Sequence, residues 1–133
     1  RTENMRIDDD ARYFAPGNAR HTATDERYLD VMNRFFVDGK TLRYSGGMVP
    51  DINHIFLKGS GVFLYPGGRE HPAKLRQLFE ANPMALLIEQ AGGAALDGTG
   101  RILDKRVAAL HQRTAVFLGS KNTVADVCKI FKT

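Results

Sequence analysis

Cysteine is nearly absent. The 133 residues include one, Cys128, so no disulfide closes within the chain and no CxxC pair exists. The four histidines stand at no zinc spacing. No apolar run approaches the roughly 18 residues of a membrane span, which argues against a membrane partner. No basic, apolar and small-residue leader opens the chain, so a cytoplasmic location is expected, with the plastid stroma as the alternative. Basic residues outnumber acidic ones, 19 to 15, but no run of four basic residues occurs. The aromatics are eight Phe and four Tyr, without ribonucleoprotein or zinc-finger spacing, so no nucleic-acid partner is expected. Scattered Arg and Lys at a net charge of +4 suit a small phosphorylated molecule better.

What is present fits one domain with one modest core, residues 1–133. The first residue is Arg1 rather than Met, which reads as a fragment or a processed chain. Asp8-Asp9-Asp10 is expected to be a solvated turn, because adjacent carboxylates repel without a cation. Tyr28, Val31, Met32, Phe35 and Phe36 recur at helical steps, with Thr22 and Asp25 as a capping box and Gly39 as the stop. TLRYSGG (41–47) reads as a short strand entering a glycine pair. Pro50 suits the first turn of a helix striped by Ile52, Ile55 and Phe56 that Gly59 ends. GVFLYPGG (61–68) and TAVFLGS (114–120) are buried strands. The tail from Lys121 to Phe131 is an amphipathic helix capped at Ser120, with Cys128 on its core face.

Three segments carry less certain patterns. KLRQLFE (74–80) reads as extended, with Lys74, Arg76, Leu78 and Glu80 on one face and Leu75, Gln77 and Phe79 on the other. Asn82-Pro83 then starts a short helix to residue 91, apolar on most sides and therefore well buried, with Asn82 as its N-cap. AALDG (94–98) and RILD (101–104) read as a hairpin across Gly98 to Gly100. Alternating strands and helices imply a layered α/β domain whose sheet is mixed.

Glu80 is the carboxylate that stands out. It is either a structural acid paired with Lys74 or Arg76, or a ligand for a hard cation. Along an extended backbone Lys74 and Glu80 lie about 20 Å apart, serving opposite ends of a ligand. Arg43 and Tyr44 precede Gly46-Gly47-Met48 at a helix start, where backbone amides approach an anion or simply turn the chain. Tyr65 ends a strand, as a ligand contact or a rim residue. Asn18, Arg20 and His21 follow Pro16-Gly17, as a phosphate loop or a self-satisfied turn. His111, Gln112 and Arg113 read as a structural brace. His54 falls on the polar face of its helix, and no nucleophile, base and acid triad assembles.

KLRQLFEANPMALLIEQAGG (74–93) resembles the KLRxLYExNPMAxxxExAGG segment of fructose-1,6-bisphosphatases. LRYSGGMVPDINHI (42–55) resembles the LRYTGGMVPDVNQI segment of sedoheptulose-1,7-bisphosphatases. FAPGNARHT, ILDK and GSKN have counterparts in the same relatives, while HQRT and FLYP look more like the fructose enzymes. The match runs from about Phe14 to Phe131. The resemblance implies the C-terminal half of the sugar phosphatase fold, closest to the sedoheptulose enzymes on GGMVPD and the PGN loop. It implies Mg²⁺-dependent removal of the 1-phosphate of a ketose bisphosphate, with most metal ligands in an N-terminal half. Glu80 matches the catalytic, metal-ligating glutamate. Lys74 matches a lysine on the sugar and distal phosphate, Tyr44 and Tyr65 tyrosines on that phosphate, and Asn18 an asparagine of its pocket. Met48 matches a methionine whose backbone contacts the sugar. Arg43 matches an arginine reaching the neighbouring subunit's phosphate site, which implies a homodimer or homotetramer. His21 stands where the fructose enzymes often have tyrosine. A lone half, with one ligating carboxylate, is expected to be inactive.

Overall fold

The computed structural model describes residues 6–67, 75–98, 100–106 and 112–132, the side chains of Leu78, Phe79 and Lys132 aside. Among the described residues, five strands form one mixed sheet, and four α-helices flank it. Strand β1 (Tyr13–Pro16) leads through helix α1 (Glu26–Val37) to β2 (Thr41–Leu42), and helix α2 (Met48–Lys58) returns to β3 (Val62–Tyr65). These two crossovers make β1 parallel to both β2 and β3. Helix α3 (Asn82–Gln90) precedes β4 (Ala94–Leu96), and β5 (Val116–Gly119) precedes α4 (Lys121–Lys132). Strand β5 pairs antiparallel with β3 and β4, giving the order β2-β1-β3-β5-β4. The expected layered α/β domain with a mixed sheet is what forms.

The sheet separates two apolar layers. On one face Ile52, Ile55, Ala85 and Ile88 from α2 and α3 pack with Phe63 and Leu118. On the other, Tyr28, Val31, Val124 and Cys128 from α1 and α4 pack with Phe14, Leu64 and Phe117. Alternate residues of β3 thus serve opposite layers, as strand geometry requires. Cys128 lies in this core, 3% exposed. The acidic turn is exposed, as expected, and Asp9 meets Lys121 at 3.6 Å. Among the described residues, no helix is long and apolar enough to cross a membrane.

Several local expectations are overturned. Asp25 alone caps α1, accepting from the Arg27 N–H, while the Thr22 hydroxyl donates to Ala19 O within a 3-10 turn. Phe36 belongs to the α1 stripe by spacing yet is 58% exposed, its ring edge-on to Phe14. RILD forms no second strand: Arg101 makes one bridge to Leu96, and Ile102–Asp104 is a 3-10 turn. The Arg101 guanidinium is drawn to Glu89 and Asp104, and Ile102 is fully buried beneath it. Ser120 does stand at the start of α4, but its hydroxyl accepts from the Gly61 N–H.

The largest correction concerns KLRQLFE. Of its described residues, only Leu75 and Arg76, before the turn, run alongside the segment entering β5. Leu75 O accepts from Thr114 N–H at 2.9 Å and Gln77 N–H donates to Gln112 O at 2.7 Å. The chain then turns through Gln77–Ala81 as one π-helical turn that runs directly into α3. Asn82 is therefore already helical (φ −62°, ψ −47°) and caps nothing; its buried Oδ1 has no hydrogen-bond partner among the described residues. Helix α3 is not buried all round either, since Leu86 and Leu87 are 48% and 46% exposed.

Candidate functional site

Ligands of open α/β sheets gather beyond the carboxyl ends of parallel strands. Here the ends of β1 and β3 open onto a cleft of about 520 Å³. Pro16, Gly17 and Asn18 enter it from β1, and Phe63 and Tyr65 from β3. The segment 46–51 forms a second wall, and Leu75, Glu80 and Met84 a third. Four stretches distant in sequence thus converge on one concavity.

The β1 wall is fixed by backbone. Asn18 adopts the left-handed conformation (φ 51°), which a small polar residue tolerates, and its amide Nδ2 donates to Pro66 O at 2.9 Å. That bond ties the end of β1 to the end of β3. Gly17 is required by close approach, because a Cβ there would collide with the Tyr65 ring. Its carbonyl accepts from the Tyr28 hydroxyl at 2.6 Å. Asn18 therefore braces its own turn and faces the cleft at once.

Tyr65 presents a half-buried phenol stacked near Phe63, centroids 6.5 Å apart. Burial raises its pKa above the ordinary tyrosine value, with Tyr44 and Glu80 adding to the rise and Arg113 and Arg20 opposing it. It remains a protonated donor at neutral pH. Tyr44 stands at the rim, 66% exposed. The second wall is the first turn of α2, with Gly47 as N-cap and Met48 as its first residue, 8% exposed. Helix N-termini present N–H groups and positive partial charge, which favours an anion. Asp51, 5% exposed, accepts from the Ser45 N–H at 3.1 Å and holds the glycine loop against the helix. Sequence reasoning assigned Asp51 no role; its burial in the turn after two glycines is visible only in three dimensions.

Glu80 lies on the third wall. Its Oε1 accepts from the Arg76 backbone N–H at 3.0 Å and faces the Arg76 Nε at 3.4 Å. The π turn curls the carboxylate back onto the start of its own turn, so the backbone from Gln77 to Glu80 is not extended. Lys74 itself lies outside the described residues, as does His111. Glu80 fits Mg²⁺ as one hard oxygen donor on a cleft wall. It is not a metal site alone: among the described residues, no group of three His, Cys, Asp or Glu could hold an ion.

Arg43 and His21 do not line the cleft. Arg43 is exposed just beyond edge strand β2, its guanidinium 5.4 Å from the Tyr13 ring centre and its Nε 3.4 Å from His54 Nε2. Burial, Arg43 and Lys58 lower the His54 pKa, with Asp51 opposing, which favours the neutral ring, the form able to accept from Arg43. His21 is buried, 4% exposed, and meets Asp25 at 3.1 Å beneath the α1 cap. The brace read at residues 111–113 is seen in Gln112, which donates to the Gln77 side chain at 3.0 Å.

Residues 7–132 match the family model described as fructose-1-6-bisphosphatase, C-terminal domain. The class 1 fructose-1,6-bisphosphatase of Geobacter sulfurreducens is 46% identical over 128 residues, covering 92% of this chain and 39% of the relative. The chloroplastic sedoheptulose-1,7-bisphosphatase of Triticum aestivum is 44% identical over 115 residues, covering 86% of this chain and 29% of the relative. A crystal structure of a candidate sedoheptulose-1,7 bisphosphatase from Toxoplasma gondii superposes with a TM-score of 0.93 at 35% identity, over 96% of this chain and 39% of that one. The chain thus spans about two fifths of the first of these relatives or less. With a family model matching nearly all its length, and a fold that superposes on a solved relative over the same span, this chain belongs to the fructose-1,6-bisphosphatase C-terminal domain family.

Proposed function

We propose that this chain is the sugar- and distal-phosphate-binding half of a two-domain, Mg²⁺-dependent sugar bisphosphatase that removes the 1-phosphate of a ketose bisphosphate. The observation that carries the reading is the convergence of Asn18, Tyr44, Tyr65, Met48 and Glu80 on one cleft. A phosphate dianion there meets a protonated phenol, an amide and the first turn of α2. Lys74, matched through its motif, supplies the charge-assisted partner. Glu80 would offer one oxygen to a magnesium ion whose other ligands lie outside this chain, and that ion would supply positive charge to offset the charge developing on the phosphoryl oxygens and the departing sugar oxygen. The role of this half is to orient the sugar and exclude water from one side of it.

Sedoheptulose 1,7-bisphosphate is the substrate we favour, ahead of fructose 1,6-bisphosphate or activity on both. The segment that resembles the sedoheptulose enzymes, Gly46 through Asp51, forms a whole wall of the cleft. Of the fructose-like FLYP segment, only Phe63 and Tyr65 line it. Arg43, matched by resemblance to an arginine that reaches a neighbouring subunit and exposed beyond edge strand β2, supports the reading of a homodimer or larger assembly. The test is phosphate release by the full-length protein with Mg²⁺, the two bisphosphates offered side by side. Release, fastest from the sedoheptulose substrate, is expected. Release from neither would sink the phosphatase reading and leave a non-catalytic sugar-phosphate-binding module. A clear preference for fructose would reverse the substrate order.

A further inference from the structure

Gln77 is fully buried, at the point where the chain widens to a π turn. A carboxamide taken from water costs free energy unless it is hydrogen-bonded. This one is. Its Nε2 donates to Lys105 O at 2.9 Å and lies 3.5 Å from Ile102 O, and its Oε1 accepts from Gln112 Nε2 at 3.0 Å. One side chain therefore joins the π turn to the Ile102–Asp104 turn and to the segment entering β5. Those two segments are joined to each other by Lys105, whose Nζ donates to Thr114 Oγ1 at 2.9 Å.

The consequence falls on Glu80. A π turn holds one residue more than an α turn, and that residue shifts the phase of all later helical positions by about 100°. Here Ala81 N–H reaches back to Arg76 O and Asn82 N–H to Gln77 O. The Glu80 carboxylate then folds onto the Arg76 N–H. An apolar side chain of the same length would fill the space, but it would leave the Gln112 amide and the Lys105 carbonyl without this partner. The turn would then be free to close to the ordinary α pitch, carrying Glu80 with it.

We propose that Gln77 is a positioning residue for Glu80: its buried carboxamide holds the π turn open and so sets where the carboxylate stands in the cleft. Gln77 itself touches no ligand. The proposal rests on the functional reading above for what Glu80 does, though not for where it is.

Two measurements test it. The first is amide hydrogen exchange on this chain, comparing wild type with Gln77→Leu. Protection at the Arg76 amide, which donates to the Glu80 carboxylate, is expected to be lost, while Ala81 and Asn82, bonded at either pitch, and the amides of β3 and β5 keep theirs. Unchanged protection at Arg76 in folded Gln77→Leu would overturn the proposal. If Gln77→Leu does not fold, Gln112→Leu removes the Oε1 partner from outside the turn, and loss or retention of protection at the Arg76 amide decides in the same way. The second is phosphate release by the full-length enzyme. There Gln77→Leu is expected to raise the Mg²⁺ needed for half-maximal rate by roughly ten- to a hundredfold, as loss of a ligand's supporting hydrogen bonds does, with the sugar KM unmoved. A purely structural role would lower the melting temperature and leave the Mg²⁺ requirement alone, which would also refute the proposal. Wild type that releases no phosphate would defeat the phosphatase reading, and the exchange experiment would still decide the position of the turn.

Discussion

Removing one oxygen from Tyr28 tests how the β1 wall of the cleft is held. Tyr28 is completely buried on α1, between the rings of His21 and Phe131, and its hydroxyl donates to Gly17 O at 2.6 Å. In Tyr28→Phe the ring still fills its space, so no cavity term arises. The loss is one hydrogen bond to a half-buried carbonyl, about 1 kcal/mol. For a domain of this size that corresponds to a melting temperature lower by about 4 °C. Tyr28→Ala also empties the ring's volume and is expected to cost about 3–5 kcal/mol. Burial holds the Tyr28 pKa well above the ordinary tyrosine value, so the hydroxyl donates throughout the neutral range and the deficit of Tyr28→Phe should not vary between pH 6 and about 9. Urea denaturation of the three proteins at two pH values, with thermal melts alongside, reads all of this. A Tyr28→Phe protein as stable as wild type would mean that the Gly17 carbonyl finds water without penalty, and that the hydroxyl does not anchor the Pro16–Asn18 turn. A deficit that changes with pH would refute the donor assignment.

Single contacts elsewhere give further expectations. Arg27, bonded to the Asp25 carboxylate, lowers its pKa despite the opposing effect of burial. A lowered folded-state pKa stabilises above the unfolded value near 4 and is lost as pH falls through the folded one. The stability gap between wild type and Asp25→Asn should therefore be full at neutral pH and shrink below about pH 4; a gap that widens in acid would contradict the sign. Asn82→Ala removes a buried acceptor that has no partner among the described residues and places alanine inside a helix. It should be neutral or stabilising by up to about 1 kcal/mol in denaturant titrations, and a clear loss of stability would mean that Oδ1 is bonded after all. Gly17→Ala forces a methyl group into the Tyr65 ring. On the proposed function, both it and Tyr65→Phe should raise the sugar KM of the full-length protein, and an unmoved KM in both would refute the proposed place of Tyr65 at the phosphate.

The fold was legible wherever local pattern and tertiary packing agree. The helical steps of Tyr28, Val31, Met32 and Phe35 mark a buried face because nothing distant competes with them. The segment 74–82 was not legible, for a definite reason. Leu75, Gln77 and Phe79 can be set on one face and Lys74, Arg76, Leu78 and Glu80 on the other, which is the period of a strand, and Asn-Pro is a strong local helix start. The strand signal is overridden by bonds from Gln77 to residues 25 to 35 positions away, which no local window contains; Asn-Pro does mark the start of α3, and only the capping role of Asn82 is lost. RILD fails likewise, since Arg101 answers to Glu89, 12 residues back, as well as to Asp104.

The candidate site divides along the same line. The residues alone leave alternatives open, and it is the resemblance of their segments to a family that nominates Asn18, Tyr44, Met48, Tyr65 and Glu80. Their convergence is a property of topology. Two crossovers from β1, through α1 to one edge and through α2 back to β3, bring the PGN turn, the start of α2 and the end of β3 to one end of the sheet. Arg43 belongs to the same motif as Tyr44 and lies one residue before it, yet the chain leaves β2 between edge and cleft. Adjacent side chains there are sent to different neighbours: Tyr44 to the rim of this cleft, Arg43 over Tyr13 and outward. A motif therefore names a set of residues, and only the strand it leaves decides which of them share a ligand.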